Sequence, residues 1–157
     1  MYYHVNERDT KKVIDLLSGI ENRQTDQHFL ENTKEVKLLF TKEALVRHIL
    51  YQNELEIVLD SEEQNYIGLS LENNYRSSIC ISFVHLTKDT RAVFKNMLSY
   101  IEERMRQLFV KEVNKLLIDL DRENEFFSLW EGLFLDSGFS KCTLSNSSKV
   151  VTYEYLF

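Results

Sequence analysis

Four titratable side chains lie at the ends or in the interior of predicted strands, where they could border a cleft: they are Glu72, His85, Asp119 and Asp121. The ordinary pKa of a histidine lies near neutral pH, which suits His85 to accepting a proton in catalysis. Asp119 could face a cleft or the solvated side of an amphipathic strand. His85 also has a structural interpretation as a hydrogen-bonded core residue. Both are therefore candidate general bases, with these alternatives open.

Three basic residues, Lys88, Arg91 and Lys95, surround the predicted start of a long helix. The first amide groups of a helix have no partner within the helix, and together with the helix dipole they favour anions such as phosphate. Asp89 adds a charge of the opposite sign at the same place. The pattern is consistent either with an anion site or with a capped helix that has a solvated basic edge.

Several other chemistries are excluded by what the chain lacks. It has four glycines, which lie far apart, and no proline, so glycine-rich nucleotide loops are ruled out. The four histidines are scattered and form no cluster with metal-ligand spacing, so no metal is expected. Cys80 and Cys142 are predicted to be reduced thiols of a cytoplasmic protein. No local motif of a Ser-His-Asp or Cys-His catalytic site is recognisable.

Length and composition indicate an ordinary folded protein. The chain has 157 residues, of which 43% are hydrophobic and 28% charged, which predicts a single domain over residues 1–157. The net charge of -6 argues against nucleic-acid binding. No apolar run is long enough to span a bilayer and the N-terminus lacks a signal-peptide pattern, so we expect no membrane partner.

Hydrophobic periodicity predicts an α+β protein with a mixed, mostly antiparallel sheet of six or seven strands and helices on both faces. Helices are predicted to begin at Asp9 or Thr10, at Thr41, near Arg91 and at Glu125. A short helix or a loop is predicted within residues 21–40. The predicted strands are Tyr2–Val5, Leu55–Leu59, Tyr66–Leu71, Ile79–Leu86, Lys115–Leu120, Ser140–Leu144 and Val150–Phe157.

The long helix and the segment after residue 132 carry the most specific signals. Along Arg91–Phe109, an apolar stripe contains Phe94, Met97, Leu98, Ile101, Met105 and Leu108. The stretch Leu133-Phe134-Leu135-Asp136-Ser137-Gly138-Phe139 predicts a helix that ends on a left-handed glycine. In this order of elements, the stretch resembles the Leu-Tyr-x-x-x-Gly-Phe motif of the GNAT superfamily of N-acetyltransferases.

The resemblance implies transfer of an acetyl group from acetyl-CoA to an amine acceptor of unknown identity. It implies that CoA lies against the end of the strand and the start of the long helix, at Val84, Leu86, Thr90, Arg91, Ala92, Val93 and Lys95. The glycine signature of the family's pyrophosphate loop is absent from this stretch. Phe134 stands where the family often has a tyrosine that protonates the leaving thiolate.

These departures leave a second function open, a catalytically inactive GNAT-fold protein that acts in binding or regulation. The alternating Tyr153, Tyr155 and Phe157 give the last predicted strand an aromatic face. That face could pack on a helix, or it could take part in a homodimer through the C-terminal strands.

Overall fold

The computed structural model of the chain describes residues 2–6, 11–13, 15, 29–31, 55–62, 65–70, 78–86, 90–109, 114–124, 126–142 and 149–157. Residues 11–13 are helical, and Val13, a predicted apolar position of the first helix, is fully buried. The predicted helix from Thr41 lies outside the described residues, as do Glu72, Lys88 and Asp89.

Eight strands form one sheet in the described part of the chain. They are β1 (Tyr2–Asn6), β2 (Phe29–Glu31), β3 (Leu55–Asp60), β4 (Tyr66–Ser70), β5 (Ser78–His85), β6 (Lys115–Asp121), β7 (Ser140–Lys141) and β8 (Val150–Leu156). The order is β1-β3-β4-β5-β6-β8-β7, with β2 also paired to β5. All pairs are antiparallel except β5 with β6, which confirms the predicted mixed, mostly antiparallel sheet.

The structure has one strand more than the largest predicted number, and this strand is β2. It lies in the stretch 21–40, where the sequence predicts a short helix or a loop. That prediction is wrong at Phe29–Glu31, since these residues pair antiparallel with Phe83–His85 of β5. A strand of three residues is too short to show an alternating pattern, and its pairing partner is more than fifty residues away in the chain.

Two helices pack against one face of the sheet, which we call the helix face. They are α1 (Thr90–Phe109) and α2 (Phe127–Asp136). Five of the six residues of the predicted stripe of α1 are buried, which confirms it at Phe94, Met97, Leu98, Ile101 and Met105. They share a core with Leu116, Ile118 and Leu120, the alternate residues of β6. For Leu108, the sixth residue of the stripe, the structure describes the backbone only.

The other face of the sheet is also buried along its central strands. Residues that alternate with those of the helix-face core point to this opposite face, and among them Ile57, Leu59, Phe83 and His85 are fully buried. Strand β5 is therefore covered on both faces, which explains the nearly continuous apolar sequence of Ile79–Leu86.

A partly buried ion pair joins α1 to β3 on the helix face. Arg104 donates two hydrogen bonds to the carboxylate of Glu56, from Nε at 2.7 Å and from a terminal guanidinium nitrogen at 2.9 Å. Beside it, Nδ1 of His4 and the hydroxyl of Tyr100 lie 2.9 Å apart in a hydrogen bond. These contacts fix the orientation of α1 over the sheet.

Candidate active site

The sheet opens between β5 and β6. Their parallel ladder covers only Ser78–Cys80 opposite Lys115–Leu117, and both strands continue beyond it, to His85 and to Asp121. The helix α1 is the crossover that connects them, so its N-terminus lies near the carboxyl end of β5. The crevice outside the carboxyl ends of parallel strands is where open α/β sheets bind ligands. We call this opening the β5–β6 gap.

A β-bulge in β5 lies beside the gap. Ile81 pairs with Leu69 of β4 and Phe83 pairs with Gly68, so Ser82 is the extra residue. The bulge changes which face the following residues point to, because one residue is added to the alternation. Gly68 accommodates this arrangement, since a Cβ on it would lie 2.2 Å from the ring of Phe83.

The start of α1 can attract an anion. Its first turn contains no acidic residue, and its first amide groups have no partner within the helix. Arg91 lies there with an exposed side chain and forms an ion pair of 3.1 Å with Asp136, the last residue of α2. An exposed ion pair of this kind contributes about 0–1 kcal/mol, so it leaves Arg91 available to an anionic ligand.

The other residues that the resemblance assigns to CoA differ in exposure. Val84 and Leu86 are fully buried, so neither residue exposes surface to a ligand. Val93 is half-buried, whereas Ala92 and Lys95 are exposed. Thr90 is the first residue of α1 and its side chain lies outside the description. The structure thus gathers these residues at the end of β5 and the start of α1.

Phe134 lies in an aromatic cluster on the helix face. Its ring is fully buried, and the centroids of four other rings lie 5.5–6.0 Å away: those of Phe94, Trp130, Phe139 and Tyr153. Phe134 therefore fills space in the core where α1, α2 and β8 meet, and it offers no proton donor there.

A phenol close to Phe134 is engaged in a polar contact that the sequence analysis did not find. The hydroxyl of Tyr153 donates a hydrogen bond to the carboxylate of Glu131 on α2, and Lys141 lies 3.5 Å from the same carboxylate. Burial, and then the hydrogen bond and negative charge of Glu131, raise the pKa of this hydroxyl. The three residues are distant in sequence and share no motif, so only the tertiary structure shows the contact.

The two candidate bases both lie beyond the last pair of the parallel ladder, on the opposite face of the sheet. His85 is fully buried, with its ring tilted against that of Tyr66 at a centroid distance of 5.5 Å. Asp119 alternates with the buried residues of β6 and accepts a hydrogen bond of 2.6 Å from the hydroxyl of Thr152. The structure therefore brings these two residues to the same face of neighbouring strands, and places Phe134 on the other face.

Comparison with solved structures identifies the fold. The chain matches a protein described as an acetyltransferase of the GNAT family from Desulfovibrio desulfuricans, with a TM-score of 0.60 and 10% identity over 99% of both chains. It matches a ribosomal-protein-alanine N-acetyltransferase from Brucella melitensis with a TM-score of 0.62 and 16% identity, over 100% of this chain and 99% of that one. The chain has the GNAT fold.

A third similar structure is a variant of a spermidine N-acetyltransferase from Vibrio cholerae, with a TM-score of 0.63 and 11% identity, over 99% of this chain and 92% of that chain. No protein-family model and no curated protein matches the sequence. The fold is shared at a sequence identity of 10–16%, because a fold is compatible with many sequences that keep the same buried pattern.

Within the described residues of this GNAT fold, no group of three or more His, Cys, Asp and Glu side chains is placed to hold a metal ion. No helix among the described residues is both long and apolar enough to cross a membrane.

Proposed function

We propose that the protein is an acyl-CoA-dependent N-acyltransferase that transfers an acetyl group to an amine. The observation that carries the proposal is the β5–β6 gap beneath a helix start that has no acidic residue in its first turn. Similar solved structures include N-acetyltransferases of spermidine and of ribosomal-protein alanine, and both acceptors are amines. The acceptor of this chain is accordingly proposed to be an amine, with no narrower class assigned.

The reaction needs a group that accepts a proton beside the gap. The amine nitrogen attacks the carbonyl carbon of the thioester, the carbon–sulfur bond breaks, and the sulfur leaves as a thiolate. We assign removal of the amine proton to His85, because an imidazole is in general a stronger base than a carboxylate. Phe134 cannot protonate the thiolate, so the thiolate takes its proton from solvent.

A thermal-shift measurement with acetyl-CoA tests the proposal. A ligand at about 100 times its Kd stabilises the fold by about 2.7 kcal/mol, so binding raises the melting temperature. Lys95→Glu places a negative charge at the exposed start of α1 and should abolish the rise. Lys115→Glu, at the opposite end of β6, is the matched control and should keep it. No rise in the wild-type chain at millimolar acetyl-CoA would contradict the proposal.

The second candidate function is a GNAT-fold protein that binds acetyl-CoA without catalysis. The observation in its favour is that Phe134, which has no hydroxyl group to donate a proton, lies where the family often has a tyrosine. Binding of acetyl-CoA without release of CoA thiol in the presence of an amine panel would favour this candidate. The variant Phe134→Tyr tests whether the missing hydroxyl group is the cause of inactivity. A gain of turnover in this variant would show that a missing proton donor limits the chemistry.

A homodimer through the C-terminal strands is also proposed. Tyr153 is fully buried beneath the helices, so this part of the aromatic face of β8 belongs to the core. The strand edge and the exposed Leu156 are left as the surface for a second copy.

A further inference from the structure

Strand β2 lies in the β5–β6 gap. A strand has two edges, and β4 occupies one edge of β5 through the pairs of Tyr66 with His85, Ile67 with Val84 and Gly68 with Phe83. The strand β2 pairs with the same three residues of β5, so it must lie along the other edge. That is the edge that β6 occupies only as far as Cys80.

The edge occupied by β2 is one that an acyl-CoA needs under the proposed function. The pantetheine arm of CoA carries amide groups, and an extended chain with amides binds an open strand edge as an added strand would. Val84 is fully buried and is paired with Leu30 of β2, so a ligand can reach this edge of β5 only after β2 has moved away. The backbone groups on that edge cannot pair with β2 and with a ligand at the same time.

The other side of the gap is the edge of β6, and no described strand covers it beyond the parallel ladder. Beyond Leu117, β6 pairs with β8 along Ile118–Asp121 on one side, and no described strand pairs with its other side. The intrachain strand thus closes the gap from the β5 side. It does so with only three paired residues, and so short a strand forms few hydrogen bonds and can be displaced by a ligand.

We propose that β2 is an autoinhibitory strand that competes with acyl-CoA for the edge of β5 at Phe83–His85. The inference rests on the proposed function, because it concerns the same gap and the same substrate. Only the state in which β2 is separated from β5 can bind acyl-CoA. When that state is a small fraction of the molecules, the apparent Kd for acyl-CoA rises as the fraction falls. Separation of β2 from β5 therefore controls the affinity for acyl-CoA.

A reversible cross-link tests the competition. Leu30 and Val84 lie directly opposite in the antiparallel pair, and the Cα atoms of opposite residues lie about 4.5–5.5 Å apart, within the range of a disulfide. The variant Leu30→Cys/Val84→Cys is made in a chain in which Cys80 and Cys142, neither of which is in a disulfide, are replaced by serine. Acetyl-CoA binding is measured by titration calorimetry on the oxidised and the reduced forms of this variant.

We expect the reduced form to bind acetyl-CoA and the oxidised form to bind at least about tenfold more weakly. The matched control is Val5→Cys/Ile57→Cys, an opposite pair in β1 and β3 away from the gap, whose oxidation should leave binding unchanged. Equal affinity of the oxidised and reduced forms of the β2–β5 variant would overturn the inference and leave the proposed function intact.

A second variant covers a failure of the cross-linked chain to fold. Leu30→Pro removes an amide from β2 and disfavours its pairing, so we expect it to bind acetyl-CoA more tightly than the wild-type chain. Weaker binding would mean that β2 is a wall of the site, and would overturn the inference. If the wild-type chain does not bind acetyl-CoA at millimolar concentration, the proposed function fails, and the inference fails with it.

Discussion

At the scale of single residues, the surroundings of His4 favour one of its two charge states. Its side chain is half-buried between β1 and α1 and forms a hydrogen bond with Tyr100. Burial and then the positive charge of Arg104 lower the pKa of His4 below 6.5, and the negative charge of Glu56 opposes them. The neutral imidazole is thus the form that the folded chain favours.

Replacing His4 should therefore change how stability depends on pH. Between the lowered pKa of the folded chain and 6.5, the unfolded chain binds more protons at His4. The contribution of His4 to the free energy of unfolding is thus complete above pH 6.5 and is lost as the pH falls through this window. We expect the difference in stability between the wild-type chain and His4→Gln to shrink as the pH falls below 6.5.

Urea unfolding of both chains at a series of pH values measures this difference. Subtracting the two curves removes the contributions of the other three histidines, which both chains share. A difference that stays constant with pH would mean that His4 titrates alike in the folded and unfolded chains.

At the scale of elements, the end of α2 is defined by its backbone hydrogen bonds. The amide of Phe139 bonds to the carbonyl of Phe134 and the amide of Gly138 to that of Leu135, which is the pattern of a Schellman motif. Gly138 has a φ of 106°, so the predicted left-handed glycine is confirmed. The rings of Phe134 and Phe139 are 5.7 Å apart and add the hydrophobic contact that accompanies this motif.

The two glycines of this region make a matched pair for testing the motif. Gly138→Ala should lower the free energy of unfolding by about 1–2 kcal/mol, because a side chain is disfavoured at positive φ. Gly132→Ala should raise it by about 0.5–1 kcal/mol, since Gly132 lies inside α2 and a Cβ there meets no atom within 4 Å. Urea unfolding gives both values. Equal changes for the two variants would contradict the role of backbone conformation.

The elements that the sequence predicts well are those whose signals are local. The stripe of α1 and the glycine after α2 follow from residue types at fixed spacing, and both are present. Strand β2 was missed because its pairing with β5 is a tertiary contact. The start of α2 at Phe127 instead of Glu125 reflects a turn in which Asn124 accepts a hydrogen bond from the amide of Phe126.

At the scale of the whole molecule, the bulge at Ser82 decides on which face His85 lies. Strict alternation from Ile79 and Ile81 would place His85 on the helix face, in the same core as Phe134. With one residue added, Val84 and Leu86 enter that core and His85 turns to the opposite face. The sequence identifies His85 as a candidate base. It does not show to which face of the sheet the His85 side chain points, because the position of a bulge depends on the pairing with the neighbouring strand.

The outer edge of the sheet supports a last prediction, on assembly. Strand β7 covers β8 only at Tyr153 and Glu154, so no described strand pairs with the end of β8 on that side. Leu156, beside this edge, is 66% exposed. Two copies could pair these ends around a twofold axis, which would bury the leucine and satisfy the free backbone groups.

Sedimentation equilibrium should therefore detect a dimer of the wild-type chain, and Leu156→Lys should shift it toward the monomer. A charged side chain at the edge disfavours strand pairing because it would lose its hydration in the contact. Leu129→Lys is the matched control, since Leu129 is 50% exposed and lies on α2, not on β8. A wild-type chain that stays monomeric at every concentration, or a dimer lost equally in both variants, would refute assembly through β8.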